Sequence, residues 1–144
     1  MVKDMSTLVS SNTEVLSTEE CWRLLDDAPV GRLAVVRAGE PDIFPVNYVV
    51  DHGGILFRTA AGPKLAAARD RVVAFEADGY TAQDGSAWSV VVKGVARPIE
   101  EVDAVAALRS ARLDPWQSGA KPWLIRIDPR SVTGRRVHLE ADAK

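Results

Sequence analysis

Two short turns dictate most of what this chain can fold into. Ala38-Gly39-Glu40-Pro41 separates the run Gly31 to Arg37 from Asp42 to Asp51, and His52-Gly53-Gly54 separates that run from Ile55 to Thr59. Connections this short cannot carry a crossover, so the three runs must pair antiparallel, as two hairpins in series. Val35, Val36, Ile43, Val46, Val49, Val50, Ile55, Leu56 and Phe57 are mostly β-branched or aromatic, as a pleated surface favours. Pro45 has no N–H for a ladder, which places a bulge or a local sheet edge there.

Further strands are expected at Val72 to Ala77 and Trp88 to Ile99, separated by a polar loop, Asp78 to Ala87. In the longer of them Trp88, Val90, Val92, Gly94 and Ala96 alternate with Ser89, Val91, Lys93, Val95 and Arg97, so the two sets face opposite sides. Gly94 at its middle suits a barrel bend or the close approach of another backbone or a ligand. Two last strands, Trp123 to Ile127 and Ser131 to His138, are expected to flank a turn at Asp128-Pro129-Arg130. Seven strands with short helical inserts describe an antiparallel barrel better than a parallel α/β sheet.

Helices are short. Ser17 and Glu20 have capping-box spacing, and Leu16 with Cys21 can form a hydrophobic staple. The helix that follows buries Cys21, Leu24, Leu25 and Ala28 and stops at Pro29. A second helix of one or two turns opens at Pro63-Lys64, and a third is expected over Glu100 to Arg112, followed by a linker around Trp116. Residues 1–14 are polar and read as a flexible tail, with one domain over 15–144, the usual size for a single core.

Composition removes several functions. The 144 residues include 47% hydrophobic and 26% charged positions with a net charge of -2, a globular balance that advertises neither a nucleic acid nor an anionic membrane as partner. One cysteine and two histidines form no metal-ligand spacing and no disulfide. The amino-terminal residues hold no secretory apolar stretch, and no apolar run approaches the ~20 residues needed to span a bilayer, so a cytoplasmic setting is expected. Hydrolase and phosphate-loop motifs are missing. His52, in a turn, and His138, near the end, read as solvated residues.

The informative segment is Phe57-Arg58-Thr59-Ala60-Ala61-Gly62-Pro63-Lys64. A strand delivers Arg58 and Thr59 to its end, small residues follow, and Lys64 sits in the first turn of a helix. Cations, a hydroxyl and backbone N–H groups at one point suit a phosphate. A lysine there opposes the helix dipole unless an anion offsets it; the alternative is a junction with ordinary surface charges. Trp88 and Trp123 each open a strand and can either cap the core or stack on a planar ligand. Arg135-Arg136 form the other basic pair.

Taken in order, Val30-Gly31-Arg32-Leu33-Ala34-Val35, Pro45-Val46-Asn47-Tyr48, Phe57-Arg58-Thr59 with Gly62-Pro63-Lys64, Trp88 through Ala96, and Trp123 through Ile127 with Thr133-Gly134-Arg135-Arg136 resemble the pyridoxamine 5'-phosphate oxidase-like flavin-binding split-barrel proteins, in their short actinobacterial form. The resemblance runs from about Ser17 to Val137. It implies a split β-barrel of six or seven antiparallel strands, a homodimer with cofactor sites at the subunit interface, and an oxidoreductase passing hydride or electrons to or from a small molecule. The cofactor it implies is FMN, with a deazaflavin as the alternative. Carried over by position, Val46, Asn47 and Tyr48 would line the flavin ring, Arg58, Thr59 and Lys64 would hold the phosphate, and Trp88 with Ser89 would approach from the second subunit. Trp123 and Arg135 are further carry-overs. No acidic, basic or nucleophilic side chain is assigned to catalysis, and a non-catalytic flavin- or haem-binding module is the other reading. The chain departs from the vitamin-producing oxidases, whose longer C-terminal segment grips the substrate with an Arg and a His. It departs from the nitroimidazole-resistance branch in having Arg58 where that branch tends to carry His.

Overall fold

The computed structural model describes residues 12–99 and 123–139. The expected helix Glu100 to Arg112, the linker around Trp116 and residues 1–11 lie outside the described residues. The two hairpins form as the turns require: β2 (Val30–Arg37), β3 (Glu40–Asp51) and β4 (Gly54–Thr59) are joined by the pairs Ala38-Gly39 and His52-Gly53. Their φ values are 53° and 79° in the first pair and 47° and 71° in the second. Two consecutive positive φ angles give the mirror-image turn whose twist matches that of the flanking strands.

The remaining strands are β1 (Thr13–Val15), β5 (Arg71–Thr81), β6 (Ser86–Pro98) and β7 (Trp123–His138). All strand pairings are antiparallel, in the order β1-β7-β4-β3-β2-β5-β6, and β6 pairs back onto β7 to close the ring. One edge of β7 is held by β6 along nearly its whole length, while the other is shared. β4 takes Trp123 to Ile127 and β1 takes Arg135 to Val137. The barrel is therefore split along that edge, and the fold is the mainly β split barrel that the sequence implied.

Three expectations need correction. The turn at Asp128-Pro129-Arg130 is absent, and β7 is one continuous 16-residue strand. None of the three residues takes the left-handed φ that a tight hairpin needs. Instead Lys93 faces Ser131 and Gly94 faces Pro129, leaving Arg130 as the extra residue of a bulge. A bulge absorbs a proline, which has no ladder N–H to offer. Secondly, the polar loop shrinks to residues 82–85, because Asp78 to Thr81 pair with Ser86 to Ser89 as an extension of the β5–β6 hairpin. Its polar side chains reflect exposure rather than irregular backbone. Thirdly, Thr13 and Glu14, assigned to the tail, belong to β1.

Pro45 behaves as expected of an edge. It faces Arg32 of β2 without a register shift, while β4 reaches only Tyr48 to Asp51 on the other side.

The barrel interior is filled by Phe57, Phe75, Leu33, Ile55, Ile125, Ile127, Val90 and Val92, each no more than 2% exposed. Helix α1 (Thr18–Asp27) closes one end with Cys21 and Leu25. Tyr48 ties it down: its ring meets Phe75 edge-on at 4.7 Å, and its hydroxyl donates to the Leu25 carbonyl at 2.6 Å. Leu16 and Cys21 share the core, as the staple predicts. The Glu20 N–H donates to the Ser17 hydroxyl at 3.1 Å, whereas the Glu20 carboxylate turns away from the capping box to Arg23 and Arg136. Ser17→Ala should cost about 1 kcal/mol in urea unfolding, the usual value of one lost N-cap, with the slope of the transition unchanged.

β4 is buried on both faces. Ile55 and Phe57 point into the barrel, while Leu56 packs outside it with Leu124, Val49 and Ile99. This explains the unbroken apolar run Ile55-Leu56-Phe57.

Candidate functional site

The segment 57–64 forms a corner at one end of the barrel. Arg58 and Thr59 are the last two residues of β4, opposite Leu124 and Trp123 of β7. Helix α2 (Pro63–Ala68) starts after three intervening residues, with Pro63 at its first position and Gly62 as a cap with no side chain. Gly62 has φ 154° and open space around it. Arg58 is half-buried, with its Nε out of solvent. The Thr59 hydroxyl donates to the neighbouring Ala60 carbonyl at 3.2 Å. Two more cations flank the corner on aromatic faces: Lys64 Nζ stands 4.5 Å from the centre of the Phe44 ring, and the Arg69 guanidinium 5.6 Å from that of Trp123.

The Phe44 ring gives Lys64 a protein partner of its own. An aromatic face attracts a cation, and a six-residue helix has a weak dipole to oppose it. The placement of Lys64 therefore does not by itself demand an anion. What remains is the donor set: a guanidinium, an ammonium and a hydroxyl within seven residues of chain, the chemistry that holds a phosphate.

Strand parity separates Val46, Asn47 and Tyr48. Tyr48 is 5% exposed and Val46 packs against the same core, while Asn47 points to the outer side. Burial, with Asp26, Asp27 and Glu76 nearby, pushes the Tyr48 phenol far up, so it stays neutral. Its side chain serves the core. Tyr48 faces Phe57 across β3 and β4, so Asn47 and Arg58, each one step further along, share the outer face at the corner. Of the ring-lining set, Asn47 is the side chain on the corner's outer face.

Trp88, Ser89 and Arg135 lie elsewhere. Trp88 faces Arg136 and Ser89 faces Arg135, near the far end of β7. From residue 123 to residue 135 an extended strand covers roughly 40 Å. Trp123 is at the β4–α2 corner; the other three are not. Arg135 is exposed, whereas Arg136 ties β7 to β1 and α1 through Glu14 at 3.7 Å and Glu20 at 3.3 Å. Beside Trp88 opens a cleft of about 660 Å³ between the end of α1, the β5–β6 hairpin and the end of β7. Gly79 makes room there: a Cβ on it would stand 2.5 Å from the Trp88 indole nitrogen.

One electrostatic feature was missed by the sequence reading. On the outer face of β2 and β5, Arg32 reaches both Glu76 at 3.4 Å and Asp78 at 3.2 Å. Burial, and then Asp78 beside it, outweigh Arg32 and raise the Glu76 carboxyl to about 7. Two acids at i and i+2 on a strand share a face, which was the available signal. Between the ordinary value of 4.5 and about 7 the folded chain holds a proton that the unfolded chain has lost. Stability therefore falls as pH rises through that window and levels off above it. Glu76 is 32% exposed, and with screening the loss should be on the order of 1–2 kcal/mol. Glu76→Gln should flatten it, as chemical unfolding at pH 5 and pH 8 would show.

His52 and His138 are exposed, at 3.0 Å from Asp51 and 3.7 Å from Glu14. Among the described residues no cluster of His, Cys, Asp and Glu is placed to hold a metal, and no helix is long and apolar enough to cross a membrane.

An antiparallel barrel closed by β6 and β7, opened along the shared edge of β7, and carrying a basic strand-to-helix corner defines the class of split-barrel proteins. Within it, residues 17–136 match the pyridoxamine 5'-phosphate oxidase family, and the chain belongs to that family. It is 35% identical over 128 residues to the uncharacterized protein Rv0080 of Mycobacterium tuberculosis, covering 85% of this chain and 84% of that one. Among solved structures it resembles the FAD binding protein from Mycobacterium smegmatis at 40% identity and TM-score 0.75, over 87% of this chain and 98% of that one. It also resembles a putative pyridoxamine 5'-phosphate oxidase from Corynebacterium glutamicum at 37% identity and TM-score 0.76, over 90% and 97% of the two chains.

Proposed function

We propose that this protein binds a flavin nucleotide at the β4–α2 corner and uses it to move hydride or electrons to or from a small molecule. The observation that carries the reading is the donor set of Arg58, Thr59 and Lys64 on a chain 40% identical to an FAD-binding protein. The phosphate next to the ribityl chain is common to FMN, FAD and the deazaflavins, so the corner serves any of them. Likeness to an FAD-binding protein gives FAD a standing that the sequence, which pointed to FMN, did not give it. The bound flavin would supply the redox chemistry. The chain's own part is to fix the phosphate and to lay the ring against the outer face at Asn47.

The same reading makes the protein a homodimer. Trp88, Ser89 and Arg135 reach a flavin at the corner only from a second copy, since in one chain they sit at the other end of β7. An exposed apolar patch supports this reading. On the outer face of β3, β2 and β5, Ile43, Val36 and Val72 are 64%, 61% and 52% exposed, and register sets Ile43 opposite Ala34, and Ala34 opposite Ala74. Contiguous apolar patches of this kind mark association surfaces.

The test is direct. Purified protein is titrated with FMN, FAD and a deazaflavin, followed by visible absorption and flavin fluorescence, and its mass is measured by light scattering. The expected result is one flavin per chain at micromolar affinity or better on a dimer, with the bound flavin reduced by NADH or NADPH. Failure of all three flavins to bind rejects the reading.

A further inference from the structure

Within one chain the cleft beside Trp88 lies away from the β4–α2 corner, and its lining differs from the corner's in charge. At about 660 Å³ it is the size of a small-molecule site. Its apolar surface is aromatic in part: Trp88 is half-buried, and Tyr80 on the opposite strand is 63% exposed. Among the described residues the Trp88 indole N–H makes no hydrogen bond, although Gly79 has given up a side chain to seat it.

Charge sets the class of ligand. Four carboxylates line the cleft, those of Glu14, Asp27, Asp78 and Asp84, against one guanidinium, that of Arg136. Three of the acids are engaged. Glu14 lies near Arg136 and His138, Asp78 is reached by Arg32, and Asp84 accepts from the Ser86 N–H and hydroxyl. Asp27 is different. It is the last residue of α1, where the helix dipole is negative and where no basic residue stands. Among the described residues its carboxylate has neither an ion pair nor a hydrogen bond. Arg23, one turn earlier, is within its electrostatic reach, and the negative end of the helix favours a further cation beside it.

We infer that this cleft binds a planar organic cation, stacked on Trp88 with its positive charge toward Asp27. Carboxylates beside aromatic faces recognise such molecules twice over, through the charge and through the ring quadrupole. The same lining repels phosphorylated and carboxylate-bearing molecules. That Trp88 would also bring the cation to a flavin, making it a substrate, rests on the proposed function. The charge preference does not.

The test uses three pyridines of nearly one shape and different charge: ring-N-methylated nicotinamide (cation), nicotinamide (neutral) and nicotinate (anion). Each is titrated into the full chain, with and without added flavin, by calorimetry and by the indole N–H resonances, with Trp88→Phe identifying the Trp88 signal. The cation should bind about 10-fold more tightly than the neutral ring, a step of about 1.4 kcal/mol, nicotinate should not bind, and the Trp88 resonance should move. Asp27→Asn should narrow the preference about threefold while leaving flavin uptake unchanged. Equal binding of all three, or a Trp88 resonance that stays in place, overturns the inference. Cation binding by a chain that takes up no flavin would uphold the cleft and remove the flavin reading. Flavin uptake with no charge preference would do the reverse.

Discussion

Gly94→Val should leave the chain unable to hold the barrel closed, seen as insoluble expression or as a melting temperature lowered by roughly 10 °C or more. A Cβ at this position would lie 2.0 Å from the Asp128 carbonyl oxygen, 2.8 Å from its carbon and 2.9 Å from the Pro129 Cα. All three are backbone atoms of β7, so relief requires the strand itself to move. That movement would break the bulge where β6 and β7 change register, on the pairing that closes the ring. Overpacking that a backbone cannot yield to costs about 4 kcal/mol or more, a large part of the 5–15 kcal/mol typical of a domain. Gly39→Ala is the control. It has open space around it and should cost only the left-handed backbone, about 1 kcal/mol. Wild-type stability in Gly94→Val would mean that β6 and β7 do not meet as described.

Gly94 was legible in the sequence because a lone glycine weakens a strand of strong alternation and so points to a neighbour that comes too close for a side chain. The two mirror-image turns and the Leu16–Cys21 staple were legible in the same way, since each is a local pattern with one mechanism. What failed was long-range or depended on burial. The polar stretch from Asp78 to Ala87 reads as loop by composition, and only pairing within the β5–β6 hairpin makes all but residues 82–85 strand. Asp128-Pro129-Arg130 reads as a turn until β6 is seen running alongside it. The site divides along the same line. Arg58, Thr59 and Lys64 are close in sequence and could be grouped without a structure, but the Phe44 ring under Lys64 comes from another strand and could not. Tyr48 was placed among ring-lining residues, yet it shares its parity with buried Phe44, and that alternation was readable. Glu76 was legible only as the i, i+2 neighbour of Asp78; its raised pKa comes first from burial, which a charged residue on a strand does not announce.

Arg58 gives the sharpest test of the corner. Arg58→Ala should weaken flavin binding about 10- to 100-fold, the worth of one or two charge-assisted hydrogen bonds to a phosphate, and the loss should appear for FMN and FAD alike because they share that phosphate. Lys64→Ala should cost less. Its side chain is exposed and already rests on Phe44, so part of its charge is answered and the rest is screened by salt. Raising the ionic strength should therefore bring the wild type toward Lys64→Ala faster than it brings it toward Arg58→Ala, whose Nε is out of solvent. Both substitutions lie at the end of a strand or on a helix surface, and melting curves without flavin should change little. Flavin titrations of the two variants at low and high salt separate these outcomes. Wild-type affinity in both would move the phosphate away from this corner and require another anchor for the flavin.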